Sequence, residues 1–405
     1  MHACGLIVEY NPFHNGHKYH LDTAKKVTKA DCIIAVMSGN FLQRGEPAII
    51  DKFHRTKMAI KQGADIVVEL PFVYTVQNSD LFARGAILTL GTLGVSSICF
   101  GSENGNIKSF TDAYETFQDN DELFRVTLKK ELANGLAFPE ASKRAYQAIG
   151  LTTGGLDLSK PNNILGFSYI KNIAQLSPTI LPVTIQRIKN DYHETSIRND
   201  IASATSIRKE IFSHHSLTSK ALTALPQTSE AELNSYKEKS SYWHEWEDYF
   251  PYLHYRVLTM GIEELKQIHG VDEGIEYRIL ATANDATSFS DWMGRLKSKR
   301  YTWTRLQRMF VHILTNTKKA EVSSIIQQPS LPYIRLLGMT KTGQSYLNKQ
   351  KKEMAVPIIS GMKKSNNPFY SIERRATNAY YSILPPQSRL SFVHQEVTPP
   401  FIHFK

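Results

Sequence analysis

Residues 5–21 read GLIVEYNPFHNGHKYHL, and this stretch decides the fold that the sequence predicts. Its apolar run at 6–8 predicts a buried β-strand. A break at 11–13 follows, and the pattern after the break predicts a helix. This order places the HNGH sequence, residues 14–17, at the N-terminus of that helix. Free backbone N–H groups and the helix dipole favour a phosphate at such an end.

Two histidines three residues apart, His14 and His17, share one face of the first helical turn. Their ring nitrogens can donate hydrogen bonds to oxygens that gain charge when the α-phosphate of a nucleotide is attacked. Gly16 lets the backbone come close to that phosphate. A metal-binding pair and two surface histidines are the alternative interpretations. The position directly after a buried strand favours phosphate binding.

Further apolar runs alternate with helical patterns along the first half of the chain. Strands are predicted at 3–9, 32–37, 65–71, 96–100 and 180–188, with helices at 17–29 and 76–93 among those between them. This alternation is typical of α/β proteins with a Rossmann-like, doubly wound parallel sheet. Ligands of such sheets lie beyond the carboxyl ends of the strands. Polar residues follow three of the predicted strands, at 11–17, 38–45 and 101–103.

A second motif, ASATSIRK, occupies residues 202–209. The hydroxyls of Ser203 and Thr205 at a helix N-terminus can hold phosphate, and Arg208 or Lys209 can neutralise a leaving pyrophosphate. The chain contains neither a Walker A sequence nor a GxGxxG fingerprint. The sequence therefore argues against P-loop and dinucleotide-binding enzymes.

The charge of the chain is unevenly distributed along its 405 residues. The net charge is +1 over residues 1–200, −6 over 201–291 and +15 over 292–405. A near-neutral first half followed by a strongly basic last third indicates a polyanionic partner that binds near the end of the chain. The alternative is a solvated basic face without a ligand.

Basic and aromatic residues interleave in the segment RLKSKRYTWTRLQR, residues 295–308. Lysine and arginine suit RNA phosphates, and aromatic rings suit stacked bases. A solvated basic helix is the alternative. The candidate RNA-binding residues are Lys297, Lys299, Arg300, Tyr301, Arg305 and Arg308.

The sequence predicts three domains and a cytosolic location. The domains are an α/β domain at 1–215, which resembles ATP-binding nucleotidyltransferases, a helical domain with the basic, candidate RNA-binding helix at 216–330, and a small basic α+β region at 331–405. Residues 214–250 are expected to form a linker leading into helices. Short strands around a turn at 341–343 and a loop-rich tail after 361 are expected in the last region. We expect no signal peptide, membrane span, disulfide or Cys-rich zinc site.

The HNGH turn resembles the HxGH motif of nucleotidyltransferases and class I aminoacyl-tRNA synthetases. The SATSIR sequence resembles the S-x-T-x-x-R loop of nucleotidyltransferases, the counterpart of the synthetases' KMSKS loop. Longer stretches resemble the bacterial tRNA(Met) cytidine acetate ligases, and they extend over most of the chain. They are residues 5–21, GNFLQRGEPA at 39–48, FGSE at 100–103, PNNILG at 161–166, SATSIR at 203–208 and KSKRYTWTRLQR at 297–308.

This resemblance implies an adenylate-forming ligase. Such an enzyme activates acetate with ATP, releases pyrophosphate, and transfers acetyl from acetyl-adenylate to N4 of the wobble cytidine of elongator tRNA(Met). The implied ATP contacts are Ile7, Val8, Glu9, Tyr10, Asn11, Pro12, Phe13, His14, Asn15, Gly16, His17, Lys18, Tyr19, His20, Gly101, Asn162 and Arg187. The side chains that supply donors to the reacting phosphates are His14, His17, Lys18, Ser203, Thr205 and Arg208.

Two parts of this function stay open at the level of the sequence, the metal and the base. Magnesium is expected to accompany ATP, although no carboxylate cage for a metal is apparent. Asp51, Glu9 and His193 are candidates for the base that accepts the cytidine amine proton.

A cofactor-pathway adenylyltransferase shares both motifs but is usually about half as long. An RNA-binding protein with a degenerate nucleotide fold is the non-catalytic alternative.

Overall fold

The computed structural model describes residues 1–152, 155–187, 201–362 and 367–404. Its strands are β1 Ala3–Val8, β2 Cys32–Ser38, β3 Ile66–Leu70, β4 Ser97–Ser102, β5 Leu181–Gln186, β6 Ile334–Thr340, β7 Ile358–Ile359 and β8 Phe401–His403. The helices of the first part are α1 Asn15–Thr28, α2 Lys52–Lys61, α3 Phe72–Thr75, α4 Ser79–Thr92, α5 Ile107–Asp119, α6 Asp121–Ala133, α7 Phe138–Ala148 and α8 Pro161–Leu176. Those that follow are α9 Ala204–His214, α10 Ser219–Thr223, α11 Gln227–Ser240, α12 Trp246–Thr259, α13 Ile262–Lys266, α14 Ile275–Ala283, α15 Phe289–Leu296, α16 Trp303–Leu314, α17 Lys319–Ile326, α18 Lys341–Gln350, α19 Pro368–Tyr380 and α20 Pro386–His394.

A mostly parallel sheet forms the centre of the described molecule. Its strand order is β5-β4-β1-β2-β3-β6-β7, and β8 pairs with β6 beside β7. The five strands from β5 to β3 run parallel. β1 lies beside β2 with Leu6 opposite Ala35, and every residue of β2 is buried. The predicted doubly wound parallel sheet is therefore confirmed.

The crossover connections explain why both faces of the sheet are covered. Because such connections are right-handed, the helices between β1, β2 and β3 pack on one face. The return from β3 to β4 crosses over β1, which places α4 on the other face. There, Leu90 of α4 approaches Gly5 so closely that a Cβ on Gly5 would lie 2.7 Å from Leu90 Cδ1. The strands consequently read as continuous apolar runs instead of alternating ones.

The last segment of the chain extends this same sheet. β6 pairs antiparallel with β3, and β7 and β8 both pair with β6. The predicted turn at 341–343 is wrong, because α18 begins there with Thr340 as its N-cap. Gly343 is required by close packing: a Cβ would lie 2.1 Å from the carbonyl oxygen of Asp65. The domain boundaries at 215 and 330 stay predictions.

The expected loop-rich tail is also wrong, because most of the described tail is helical. Pro368 and Pro386 each begin a helix, where a missing N–H costs no hydrogen bond. The tail packs on the central sheet and its neighbours. The hydroxyl of Tyr380 donates to the Ala48 carbonyl at 2.8 Å, and that of Tyr381 bonds Asp51 Oδ2 at 3.0 Å.

The expected linker at 214–250 contains two whole helices, α10 and α11, and the start of α12. α11 packs against α2, and Lys61 and Glu232 form an ion pair of 2.7 Å between them. Aromatic residues around 243–252 contact the first part of the chain through Trp246, whose indole N–H donates to the Gly45 carbonyl at 2.8 Å.

Two further expectations concern membranes and thiols. No helix in the described part of the chain is both long and apolar enough to cross a bilayer. Cys4, Cys32 and Cys99 are buried free thiols, and all three lie in strands as predicted.

Candidate active site

The turn between β1 and α1 holds the two histidines in a reciprocal cap. His14 is the N-cap residue, and its Nδ1 accepts a hydrogen bond from the Gly16 N–H at 3.0 Å. The His14 N–H donates in turn to Nδ1 of His17 at 3.3 Å, and the two ring centroids lie 3.8 Å apart. Because both Nδ1 atoms accept, this pattern assigns the proton of each neutral ring to Nε2.

The electrostatic surroundings keep these rings neutral. Burial, and then the positive charges of Arg187 and Arg208, lower the pKa of His14 to about 3. Burial, followed by the nearby His14 and Arg187, lowers the pKa of His17 well below its usual value. Neutral imidazoles beside arginines can donate hydrogen bonds to phosphate oxygens, while the arginines supply the positive charge.

Two aromatic side chains support the turn from below. Tyr10 and Phe13 are fully buried, and their ring centroids lie 4.9 and 5.7 Å from that of His17. A buried support of this kind fixes the ring of His17. Of the predicted ATP contacts at 7–20, these two therefore lie beneath the surface of the turn.

The other predicted residues of this stretch differ in their exposure. Tyr19 is exposed, and Lys18 forms an ion pair with Asp22, one turn further along α1. Asn15 is tied to a different segment, since its backbone N–H donates to the Ala224 carbonyl at 3.0 Å. The remaining members are Ile7 and Val8 in β1, Glu9, Asn11 and Pro12 in the connection, and Gly16 and His20 in α1.

The second motif lies against the first, although it follows about 190 residues later in the sequence. Ser203 is the N-cap of α9, and its hydroxyl accepts from the Ser206 N–H. Arg208, one turn into α9, donates to the Asn11 carbonyl at 2.9 Å. Thr205 is exposed in the first turn. The fold thus brings the HNGH turn and the SATSIR helix to one edge of the sheet, which we call the adenylation edge.

Glu46 is a member of this edge that the sequence did not single out. Its Oε2 lies 2.7 Å from a terminal nitrogen of Arg208. The two contacts of Arg208, with Glu46 and with the Asn11 carbonyl, hold the guanidinium beside the turn. Glu46 lies in the GNFLQRGEPA stretch that carries part of the family resemblance, but that stretch does not show that Glu46 pairs with Arg208.

A third group of predicted residues surrounds the ends of β4 and β5. Gly101 faces Arg187, and a Cβ on Gly101 would lie 3.2 Å from Arg187 Cγ. The side-chain amide of Asn162 donates to Glu103 Oε1 at 2.7 Å. Glu103 also accepts the backbone N–H groups of residues 162 and 163, so it caps the N-terminus of α8. Glu103 is a second acid whose role the sequence did not reveal.

The structure describes the surroundings of two of the three candidate bases. Asp51 is fully buried as the N-cap of α2, and its ion pair with His54 holds the pKa of Asp51 below its usual range against the effect of burial. Glu9 accepts from the Gln43 N–H at 2.8 Å, and burial raises the pKa of Glu9. His193 lies outside the described residues.

The predicted RNA-binding residues lie before and on α16. Lys297, Lys299 and Arg300 are exposed. Tyr301 is only 6% exposed, and its hydroxyl donates to the Asp272 carbonyl at 2.7 Å. Its ring therefore supports Arg305, whose guanidinium lies 4.5 Å above the ring centroid. The neighbouring Trp303 is the more exposed ring, at 39%.

Metal binding was not predicted from the sequence. Within the residues that the structure describes, no group of three or more His, Cys, Asp or Glu side chains could hold a metal ion.

Known proteins are similar to this chain over nearly its whole length. The model of the HIGH nucleotidyl transferase family matches residues 1–395. The tRNA(Met) cytidine acetate ligase of Oceanobacillus iheyensis is 57% identical over 402 residues, which are 99% of this chain and 100% of that protein. The protein of the same name from Bacillus subtilis is 44% identical over 399 residues, which are 98% and 96% of the two chains.

Two solved structures match over the whole chain. They are Thermotoga maritima TmcAL without ligand and the same protein bound with alpha-thio ATP, each with a TM-score of 0.89 and 100% coverage of both chains. Their sequences are 31% and 30% identical to this one. Taken with the matching family model and relatives, these similarities show that the chain belongs to the tRNA(Met) cytidine acetate ligases, a family of HIGH nucleotidyl transferases.

Proposed function

We propose that this protein activates acetate with ATP and acetylates N4 of the wobble cytidine, position 34, of elongator tRNA(Met). The observation that carries the proposal is the meeting of the HNGH turn with Arg208 of the SATSIR helix at one sheet edge. In a chain of this family, that edge is suited to hold the triphosphate of ATP. A tRNA substrate also places the protein in the cytoplasm.

In the first reaction, a carboxylate oxygen of acetate attacks the α-phosphorus of ATP, and the bond to the leaving pyrophosphate breaks. His14 and His17 donate from Nε2 to phosphate oxygens that gain charge, and Arg208 and Arg187 neutralise the phosphates. The first N–H groups of α1 already have partners within the protein, since those of Asn15 and Gly16 donate to the Ala224 carbonyl and to His14 Nδ1, so the side chains supply the donors to these oxygens. Lys18, Ser203 and Thr205 complete the donors, with Lys18 exchanging Asp22 for phosphate.

In the second reaction, the cytidine N4 attacks the acyl carbon, AMP leaves, and the amine loses a proton. Glu9 is the candidate we favour as the proton acceptor. It lies at the end of β1, and burial raises the pKa of its carboxylate, which makes it a stronger base. Asp51 is already committed to His54 and Tyr381.

RNA would bind through the basic segment before α16 and on its exposed face. The last third of the chain carries a net charge of +15, and Lys297, Lys299 and Arg300 face solvent. These charges would contact tRNA phosphates, and Trp303 could stack on an exposed base.

The proposed function is tested by incubating the purified protein with labelled acetate, ATP and bulk tRNA, followed by nucleoside analysis. The expected product is labelled N4-acetylcytidine, formed only when ATP is present. Pyrophosphate release that depends on a nucleotide monophosphate acceptor, without label in tRNA, would instead identify a cofactor-pathway adenylyltransferase. Binding of tRNA without any affinity for ATP would identify a non-catalytic RNA-binding protein.

A further inference from the structure

A buried arginine on α2 binds three separate segments of the chain. Arg55 is fully buried, at 0% exposure. Its Nε donates to the Ile50 carbonyl at 3.2 Å, its Nη1 donates to the Glu9 carbonyl at 2.6 Å, and its Nη2 donates to the Gly39 carbonyl. In the described part of the chain, its hydrogen-bond partners are thus main-chain carbonyls and not carboxylates.

The burial of this charge without a bonded acid is unfavourable by itself. Burial lowers the pKa of the Arg55 guanidinium, as expected for a cation that is held away from water. A guanidinium stays charged there because its ordinary pKa is so high, and its planar fork can donate in several directions at once. The three carbonyls that it binds therefore indicate its role.

Two of these carbonyls lie where neighbouring strands separate. β1 and β2 pair as far as Val8, which lies opposite Met37. Glu9 and Gly39 are the first residues beyond the two strands. Ligands of a doubly wound sheet bind beyond the carboxyl ends of its strands. Arg55 therefore joins the two strand ends at the adenylation edge.

The contact with Glu9 orients the peptide that leads into the HNGH turn. The Glu9 carbonyl belongs to the same planar peptide unit as the nitrogen of Tyr10. Tyr10 has a φ of +50°, in the left-handed region that is unfavourable for a residue with a side chain. Such a conformation persists only where its surroundings hold it. The hydrogen bond from Arg55 is one of these constraints, and the ring of Tyr10 in turn supports that of His17.

The contact with Gly39 fixes the start of the segment that follows β2. The N–H of Gln43 in this segment donates to the carboxylate of Glu9, the favoured proton acceptor, at 2.8 Å. Further along the same segment, Glu46 pairs with Arg208 at 2.7 Å. A shift of this segment would therefore move two groups that are proposed to take part in the reaction.

The contact with Ile50 fixes the segment before α2. The N–H of the neighbouring Ile49 donates to Asn11 Oδ1 at 2.7 Å, and the Asn11 carbonyl accepts from Arg208. All three segments that Arg55 binds therefore contact residues of the adenylation edge.

We infer that Arg55 is a positioning residue for the activation of acetate, because it holds the ends of β1 and β2 so that the HNGH turn and Arg208 keep their reactive geometry. The inference rests on the proposed function and adds a residue that lies outside both motifs. Arg55 acts through the groups that it holds, since a displacement of about 1 Å in a reacting group can lower a rate about 100-fold.

The test compares Arg55→Met with Arg375→Met, a matched loss of an arginine that binds a main-chain carbonyl. Arg375 lies on α19 and joins the Thr315 carbonyl at 3.1 Å to Glu321 of α17 at 2.8 Å. Both kcat and KM for ATP are measured in acetate-dependent ATP–pyrophosphate exchange, per folded protein as judged by circular dichroism. For Arg55→Met we expect kcat to fall at least ~10-fold with KM for ATP changed less than about 2-fold, because preorganised groups act in the transition state. Arg375→Met should keep the wild-type kcat.

The lysine variants Arg55→Lys and Arg375→Lys keep the positive charge, and they repeat the comparison if a methionine variant does not fold. One ammonium group cannot replace three nitrogens that bind three carbonyls, so Arg55→Lys should recover only part of the lost kcat. A wild-type kcat in a folded variant of Arg55 would overturn the inference. Equal decreases of kcat in the Arg55 and Arg375 variants would also overturn it, since any lost arginine would then have the same effect.

The failure of this inference can be told from the failure of the proposed function. If wild-type protein shows acetate-dependent exchange and the folded Arg55 variants match its kcat, only the positioning role is wrong. If wild-type protein shows no acetate-dependent exchange, the proposed activation of acetate itself is wrong.

Discussion

The adenylation edge and the surface of α16 are both proposed to bind anions, but they are built differently. At the edge, two neutral imidazoles cap a helix and each other, and Arg208 is fastened between Glu46 and a backbone carbonyl. Around α16, lysine and arginine side chains face solvent, and Arg300 and Arg305 share the single carboxylate of Glu273.

This difference indicates two kinds of anion binding. Groups held in place by hydrogen bonds can stabilise charge as it develops at one phosphorus atom. Mobile surface charges instead bind a polyanion through counterion release, and their contribution depends on salt. Changes at the edge should therefore alter chemistry, whereas changes around α16 should alter tRNA affinity.

Replacement of His17 by alanine should have the largest effect of these changes, and it should affect the reaction with ATP but not tRNA binding. We expect the rate of ATP–pyrophosphate exchange with acetate to fall at least ~100-fold, because a preorganised donor is lost. Affinity for tRNA should stay near the wild-type value. His2→Ala, at an exposed position, is the matched control. Weakened tRNA binding with normal exchange would show that His17 does not act on ATP.

The pH dependence of the free energy of unfolding should show whether His14 stays neutral in the folded protein. In the unfolded chain His14 takes up a proton below about pH 6.5, whereas in the folded protein its pKa is about 3. The free energy of unfolding should therefore fall as pH decreases through this window, by about 2 kcal/mol from this one group between pH 7 and 5. His14→Gln should lose less stability over the same range in denaturant titrations. Equal losses would mean that His14 becomes charged in the folded protein.

Glu46→Gln removes the carboxylate that holds Arg208 in place and leaves all the proposed phosphate donors in the protein. The ion pair with Arg208 is lost, so we expect about a 10-fold decrease in the exchange rate through misplacement of the guanidinium. Arg208→Ala should cost more, since the charge itself disappears. If Glu46→Gln were as damaging as Arg208→Ala, Glu46 would have a role of its own in the reaction.

The smallest expected effects are on the surface around α16. Arg305→Ala and Lys299→Ala should each lower the salt slope of tRNA binding by about one, with a modest loss of affinity. Arg295→Ala is the control, because Arg295 pairs with Asp291 at 3.0 Å. Slopes measured by filter binding that match the wild type would place the RNA site elsewhere.

Local sequence was sufficient for the five parallel strands and for the helices that begin at both motifs of the edge. Continuous apolar runs predict buried parallel strands, and the patterns that follow HNGH and ASATSIRK predict helices. The partners of these residues were not predictable, because Glu46 meets Arg208, and Glu103 meets Asn162, only in the folded chain. Asp51 could not be separated from other candidate bases until its burial beside His54 was known.

Non-local pairing explains what the sequence did not predict about the C-terminal region. β6 joins β3 from a distant part of the chain, and no local pattern identifies that neighbour. Likewise, an alternation of basic and aromatic residues does not say which ring is buried, so Tyr301 and Trp303 could not be distinguished.

The most direct measurement compares two transcripts of elongator tRNA(Met) that differ only at position 34, one with cytidine and one with uridine. Each is incubated with the wild-type protein, ATP and labelled acetate, and the label is located by nucleoside analysis. The account predicts N4-acetylcytidine in the cytidine transcript and no label in the other. Equal labelling of both transcripts, or none in either while ATP is split to AMP and pyrophosphate, would contradict it.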